Sequence, residues 1–259
     1  MVNNLAVIEM ARASGLSLAG GNKSNDPINA TTRGTGELVV KAIENGARRV
    51  IVAVGGSAST DGGFEASEVL ERFRPLDGSR GYTVVVACDV RSSFVSSAAI
   101  FGPQKGATPE QVAGLYNRLE SLVDLYLRRY GFDVSELVGA GAAGGLAGGL
   151  AALGANLVPG VDLVAAEVGL EQIIRGADLV ITGEGRLDGS SFDGKVVGGV
   201  LRMASRLGVR VHTVVGDATP EVRDRIPLTT LVDLYGRQRA LSMTTTCINE
   251  CISDFLQEN

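Results

Sequence analysis

Apolar residues in this chain fall into two kinds of grouping. Short apolar runs predict strands of a parallel sheet: "RRVIVAVGG" (48–56), uninterrupted and closed by glycines, "YTVVVACDV" (82–90), "ADLVITGEG" (177–185), "VRVHTVVGD" (209–217) and "LTTLVDLYG" (228–236). Between them, apolar residues recur at helical spacing. "LAVIEMARAS" (5–14) predicts a helix stopped by Gly15, and "TTRGTGELVVKAIENGA" (31–47) a turn and then a helix ended by Gly46. Thr108-Pro109-Glu110-Gln111 opens a helix with a Thr cap, Pro at the first helical position and Gln completing a capping box. Val112, Leu115, Leu119, Leu122 and Tyr126 continue it. "DLVAAEVGLEQIIRG" (162–176), "GGVLRMASRLG" (198–208) and "TPEVRDRI" (219–226) predict three further helices. Strands alternating with helices imply a parallel sheet covered by helices on its faces, an α/β fold.

Composition adds limits. Glycine is abundant, at 35 of 259 residues, which suits many tight strand-to-helix turns. The formal net charge of -5 gives no electrostatic support to a nucleic-acid role. Three cysteines without a regular framework point to a reducing compartment, and the cytoplasm is the expected location. The single histidine, His212, lies in a predicted strand and reads as structural, which disfavours a Ser-His-Asp mechanism. The N-terminal residues lack a signal-peptide pattern. The uncharged stretch 137–161 is mostly Gly and Ala, so it reads as a closely packed soluble segment rather than a membrane span. Its central part, 141–152, is expected to be helical and buried, with an anion-attracting N-terminal end.

Open α/β sheets bind ligands beyond the C-terminal ends of their strands. Three such ends carry glycine with polar groups: "VGGSASTDGG" (54–63), "CDV" (88–90) and "TGEGRLDG" (182–189). Asp61, Asp89 and Asp188 are thereby placed to accept a proton or hold Mg²⁺, or else to cap a turn. Several stretches compete for phosphate. Gly55, Gly56, Ser57 and Ser59 belong to a loop whose N–H groups and hydroxyls suit an anion. Gly141 and Gly144 lie in "GAGAAG" (139–144), a G-x-G-x-x-G match without a good strand before it; a nicotinamide dehydrogenase using Asp162 fails on that context. Residues 189–195 read G-x-x-x-x-G-K, a phosphate loop with Val196 where Mg²⁺ needs a hydroxyl, and Asp188 and Asp193 add negative charge. A true Walker A loop is therefore rejected, leaving Lys195 and Lys105 as separate phosphate partners.

The blocks "ATTRGTGEL", "GGSASTDGG", "FGPQKGATPEQV", "GAGAAGGLAGGL" and "ADLVITGEGRLDGSSFDGK", in this order from about Ala6 to Gly216, resemble the bacterial glycerate kinases. The resemblance implies a parallel-sheet Rossmann-like domain plus a second α/β domain, with the active-site cleft between them and no Walker A loop. Residues 1–160 would be the inserted α/β domain and 161–259 the Rossmann-like segment, incomplete without N-terminal strands. It implies ATP-dependent phosphorylation of glycerate to phosphoglycerate, 2-phosphoglycerate before the 3-isomer, with Mg²⁺. Small molecules are then the partners, with no nucleic acid and no membrane, and a homodimer stays open. Position and chemistry suggest Asp188 or Asp61 as base, Arg186, Ser57 and Ser59 for glycerate, Gly55, Gly56, Lys105, Gly141, Gly144 and Lys195 for ATP phosphates, and Glu184 and Asp89 for metal. The family's "DSFKGSL"-like and "ADGGEGT"-like segments have no counterpart here, and a loop before "VVVACDV" is missing. A shortened homologue and a longer protein with residues left out both stay open, as does a small-molecule-binding homologue that has lost turnover.

Overall fold

The computed structural model describes residues 4–192 and 194–258. It divides after Pro159 into two compact units.

The first unit runs β1 (Leu5–Glu9), α1 (Ala11–Ser14), α2 (Arg33–Glu44), β2 (Arg49–Ala53), α3 (Phe64–Leu70), β3 (Thr83–Ala87), α4 (Ser97–Phe101), α5 (Pro109–Tyr130), α6 (Leu146–Ala152) and β4 (Asn156–Val158). Its four strands form one sheet in the order β1-β2-β3-β4, every pair parallel. The middle strands β2 and β3 each bury their three central residues, Val50 to Val52 and Val84 to Val86, as expected of strands covered on both faces. Met10, Val39, Leu70, Leu146 and Leu150 complete that core. A second cluster joins Phe94 to Leu115, Leu119, Leu122 and Tyr126, one face of α5. That helix begins on the anticipated capping box: Thr108 accepts from the Gln111 N–H, and Gln111 reaches back to the Thr108 N–H.

The second unit runs α7 (Gly160–Glu167), α8 (Leu170–Arg175), β5 (Leu179–Thr182), β6 (Arg186–Leu187), α9 (Val196–Leu207), β7 (Arg210–Val215), β8 (Asp217–Ala218), α10 (Pro220–Arg223), β9 (Leu228–Thr230), α11 (Leu231–Tyr235), α12 (Arg237–Ser242) and α13 (Thr244–Glu258). It holds a three-stranded sheet, β5-β7-β9, and a two-stranded one, β6-β8, both parallel. His212 is buried on β7, hydrogen-bonded to Thr229 at 2.9 Å and stacked on Phe255. Among the described residues no helix is long and apolar enough to cross a membrane.

Four local expectations are corrected. Residues 5–14 are not one helix: Leu5–Glu9 is a strand whose residues pair in register with Arg49 to Ala53, and only Ala11–Ser14 is helical. Apolar residues at 5, 7 and 8 fit either period, and a free neighbour along β2 decided for the ladder. In the Gly/Ala stretch the helix starts at Leu146, not 141, because Gly144 and Gly145 hold φ of +65° and +92°, which a right-handed helix cannot contain. The helix expected over 162–176 is two helices, broken at Gly169 with φ +66°. Finally, "LTTLVDLYG" is strand only to Thr230 and then turns into α11.

Candidate active site

The loop that leaves β2 carries the densest polar chemistry of the first unit. Gly55 and Gly56 are exposed at its start, and the Gly56 carbonyl accepts from the Leu16 N–H at 2.9 Å. Ser57 is buried and bridges to Gly15. Ser59 and Thr60 are fully buried, and their hydroxyls have no hydrogen-bond partner among the described residues. Asp61 follows, only 6% exposed. Its Oδ2 accepts from both the N–H and the hydroxyl of Thr32 at 2.8 Å, and its Oδ1 from the Gly63 N–H at 3.1 Å. Thr32 sits at the start of α2, so the carboxylate ties that helix to the loop. Burial pushes the Asp61 carboxyl above its ordinary range, against the opposing pull of the Thr32 and Gly63 hydrogen bonds.

Lys105 approaches this loop from the turn between α4 and α5. It is 2% exposed, and its ammonium donates to the Ser59 carbonyl at 2.6 Å. Asn25, which sequence reasoning missed, donates through Nδ2 to the carbonyls of Ala58 at 3.1 Å and Lys105 at 2.9 Å, joining the two segments. An Asn within "NKSNDP" carries no signal of this role; only the folded chain brings it against residues 58 and 105. The loop is held further by Tyr126, whose hydroxyl donates to the Gly62 carbonyl at 2.9 Å, and by the Gly62 N–H bond to Gly144 O at 2.9 Å.

Gly141 and Gly144, expected at phosphate, pack closely against protein on the side where a side chain would stand. A Cβ on Gly144 would stand 2.2 Å from Ser59 O, and one on Gly141 would stand 2.3 Å from Ser93 O. Asp89 is exposed on the loop after β3.

Burial lowers the Lys105 ammonium from about 10.5 to about 8, against the opposing pull of Asp61. The folded chain therefore holds this proton less tightly than the unfolded chain does. Between those two values the unfolded chain carries more protons, so this group makes stability rise with pH. Thermal melts of the parent and Lys105→Met, compared from pH 8 to pH 10, are expected to show the parent gaining on the variant. A difference that stays flat with pH would mean that Lys105 does not titrate in this window.

The second unit gathers Glu184, Arg186, Asp188 and Lys195 after β5. Glu184 lines a cavity of about 410 Å³ with Ile181, Val214, Leu231 and Ile248, and one of its carboxylate oxygens is buried without a partner among the described residues. Arg186 is exposed on β6. The Asp188 carboxylate closes a local turn: its Oδ1 accepts from the Ser190 N–H at 2.9 Å and the Ser190 hydroxyl at 2.5 Å. These bonds, led by the Ser190 hydroxyl, keep Asp188 below the ordinary carboxylate range. Lys195 is exposed and donates to the Ser190 hydroxyl at 2.7 Å. Val196 begins α9 with no hydroxyl to offer a cation, in keeping with the rejected Walker A loop. Asp193 lies outside the described residues. Among the described residues no three His, Cys, Asp or Glu side chains form a metal cluster, which includes Glu184 and Asp89.

The chain matches the model of the glycerate kinase family over residues 1–71 and 66–253. It is 38% identical over 246 residues to the glycerate 2-kinase of Escherichia coli K12, covering 84% of this chain and 64% of that protein. It is 39% identical over 240 residues to a glycerate kinase of Bacillus subtilis 168, covering 82% and 63%. The chain thus spans just under two thirds of the length of these relatives. Among solved structures it superposes on one described as glycerate kinase 2 from Salmonella typhimurium LT2, with a TM-score of 0.72 and 31% identity over 99% of this chain and 77% of that one. A match of this extent, on an α/β fold of parallel sheets, places the chain in the glycerate kinase family.

Proposed function

We propose that this chain phosphorylates glycerate at the expense of ATP, with 2-phosphoglycerate as product. The observation that carries the reading is Asp61: a buried carboxylate with a raised proton affinity in the wall of a cavity of about 380 Å³. A group of that kind is suited to take the proton of a substrate hydroxyl near neutral pH. The freed oxygen forms a bond to the γ-phosphorus, the bond from that phosphorus to the β,γ-bridging oxygen breaks, and ADP leaves. Lys105 and Asn25 hold the loop that carries Asp61, so the base is positioned before substrate arrives.

Asp188 suits a different part. Its depressed proton affinity keeps it negative throughout the working range, which fits a single carboxylate contact to a nucleotide-bound cation. Mg²⁺ is held in this way, by one or two carboxylates, phosphate oxygens and water, so a three-carboxylate cage is not required. When bound, it would neutralise charge on the phosphates. Arg186 and Lys195, both exposed, are suited to phosphate oxygens.

The test is a coupled assay of ATP consumption with glycerate as acceptor, with the phosphorylated product identified by NMR. Glycerate-dependent turnover giving 2-phosphoglycerate is the expected result. Binding of glycerate without ATP consumption would make the chain a non-catalytic homologue.

A further inference from the structure

The cavity beside Asp61 has a second charged wall. Residues from the segment before α2 (Ile28, Thr31), from α3 (Phe64, Glu65) and from α5 (Arg118, Leu122) enclose about 380 Å³, within the range of small-molecule sites. Arg118 is half-buried and donates one N–H to the Ile28 carbonyl at 2.9 Å. A guanidinium has five such donors. Among the described residues Arg118 makes no ion pair, while Glu65 is engaged by Arg33 at 3.4 Å. A half-buried cation without a carboxylate, facing a cavity whose other wall is Asp61, is complementary to a missing anion.

We propose that Arg118 receives the carboxylate of the substrate, with the substrate's hydroxyl turned toward Asp61. This rests on the proposed kinase activity and adds to it the residue that selects a hydroxy acid. The guanidinium fork pairs with both oxygens of a carboxylate. Asp61 supplies the acceptor that a hydroxyl needs. Ile28, Phe64 and Leu122 give the carbon chain an apolar surface. Two carboxylates in the same wall, Asp61 and Glu65, repel further negative charge, so the cavity favours the monoanionic acid over its phosphorylated product. Arg118 lines the same cavity as Asp61, which makes it a carboxylate partner to set beside Arg186, the one expected from sequence.

The test is calorimetric titration of the parent, Arg118→Met and Arg118→Lys with glycerate and with its neutral amide, each protein checked for fold by thermal melting. Losing a charge-assisted contact is expected to weaken glycerate binding about 10- to 100-fold in the Met variant. The Lys variant should fall between, since it keeps the charge and loses the fork. Neither change should alter the weaker binding of the amide. If the Met variant does not fold, the Lys variant decides by the same comparison. The proposal is overturned if the variants bind glycerate as the parent does, or if they lose acid and amide equally. A parent that turns over glycerate beside an Arg118→Met variant with unchanged KM removes the subsite alone. A parent that binds no glycerate removes the kinase reading as well.

Discussion

Replacing Gly144 with Val will collapse the first unit or leave it barely stable. Gly144 has φ +65°, a conformation that β-branched residues avoid, and its Cα faces Ser59 O, 2.2 Å from where a Cβ would stand. The Thr60 backbone lies 2.7 Å away as well, and neither backbone group can swing aside as the end of the Lys105 side chain could. Backbone strain and overpacking together are expected to cost about 3–6 kcal/mol, against a total stability of about 5–15 kcal/mol for an ordinary domain. The control is Gly55→Val, where a Cβ meets nothing within 4 Å. Circular-dichroism melts should show Gly55→Val close to the parent and Gly144→Val strongly lowered or without a transition. Equal melting of all three proteins would remove the close-packing account of the Gly/Ala segment.

The next largest effect is expected at Asp61. Asp61→Asn keeps the size and an acceptor for the Thr32 N–H and hydroxyl, but removes the charge. With Asp61 as base, kcat should fall by about 10²–10⁴-fold, with a much smaller change in KM for glycerate, since the lost interaction belongs to the transition state. The pH profile gives an independent sign. Because burial raises the Asp61 proton affinity, activity should be lost as pH falls through a value above the ordinary carboxylate range, and that acidic limb should vanish from the variant's residual rate. A structural Asp61 predicts the opposite pattern: near-full kcat in the Asn variant and an unchanged limb.

The parts of the fold that sequence revealed are those in which local signals agree. Valine-rich runs marked β2 and β3, and Thr108 with Gln111 marked the start of α5. The failures occurred where a long-range partner decides. Leu5–Glu9 has no intrinsic preference strong enough to resist pairing with β2, and residues 141–145 turn because their backbone must fit against Ser59 and Ser93. The site divides in the same way. Asp61 and Lys105 stand out as residue types in glycine-rich loops, but their mutual approach is not written in either loop. Lys105 was read as a phosphate partner; its ammonium donates to the Ser59 carbonyl. Asn25 and Arg118 gave no signal, because an amide in a loop and a cation on a helix are ordinary until the chain closes around them.

The bonds around the Ser57–Asp61 loop also bear on the order in which the molecule assembles. They join residues separated by 33 positions for Asn25 to Ala58, 29 for Thr32 to Asp61, 46 for Lys105 to Ser59 and 80 for Asn25 to Lys105. Each long closure costs chain entropy before its contact is gained. The strands of the first unit pair over comparable distances, 44 positions from Leu5 to Arg49, 34 from Arg49 to Thr83 and 71 from Val85 to Asn156, so loop and sheet share the same entropic cost. During synthesis no nascent chain ending before Gly144 contains all the segments that hold the loop. The proposed catalytic geometry is therefore complete only after the chain has been made as far as Gly144.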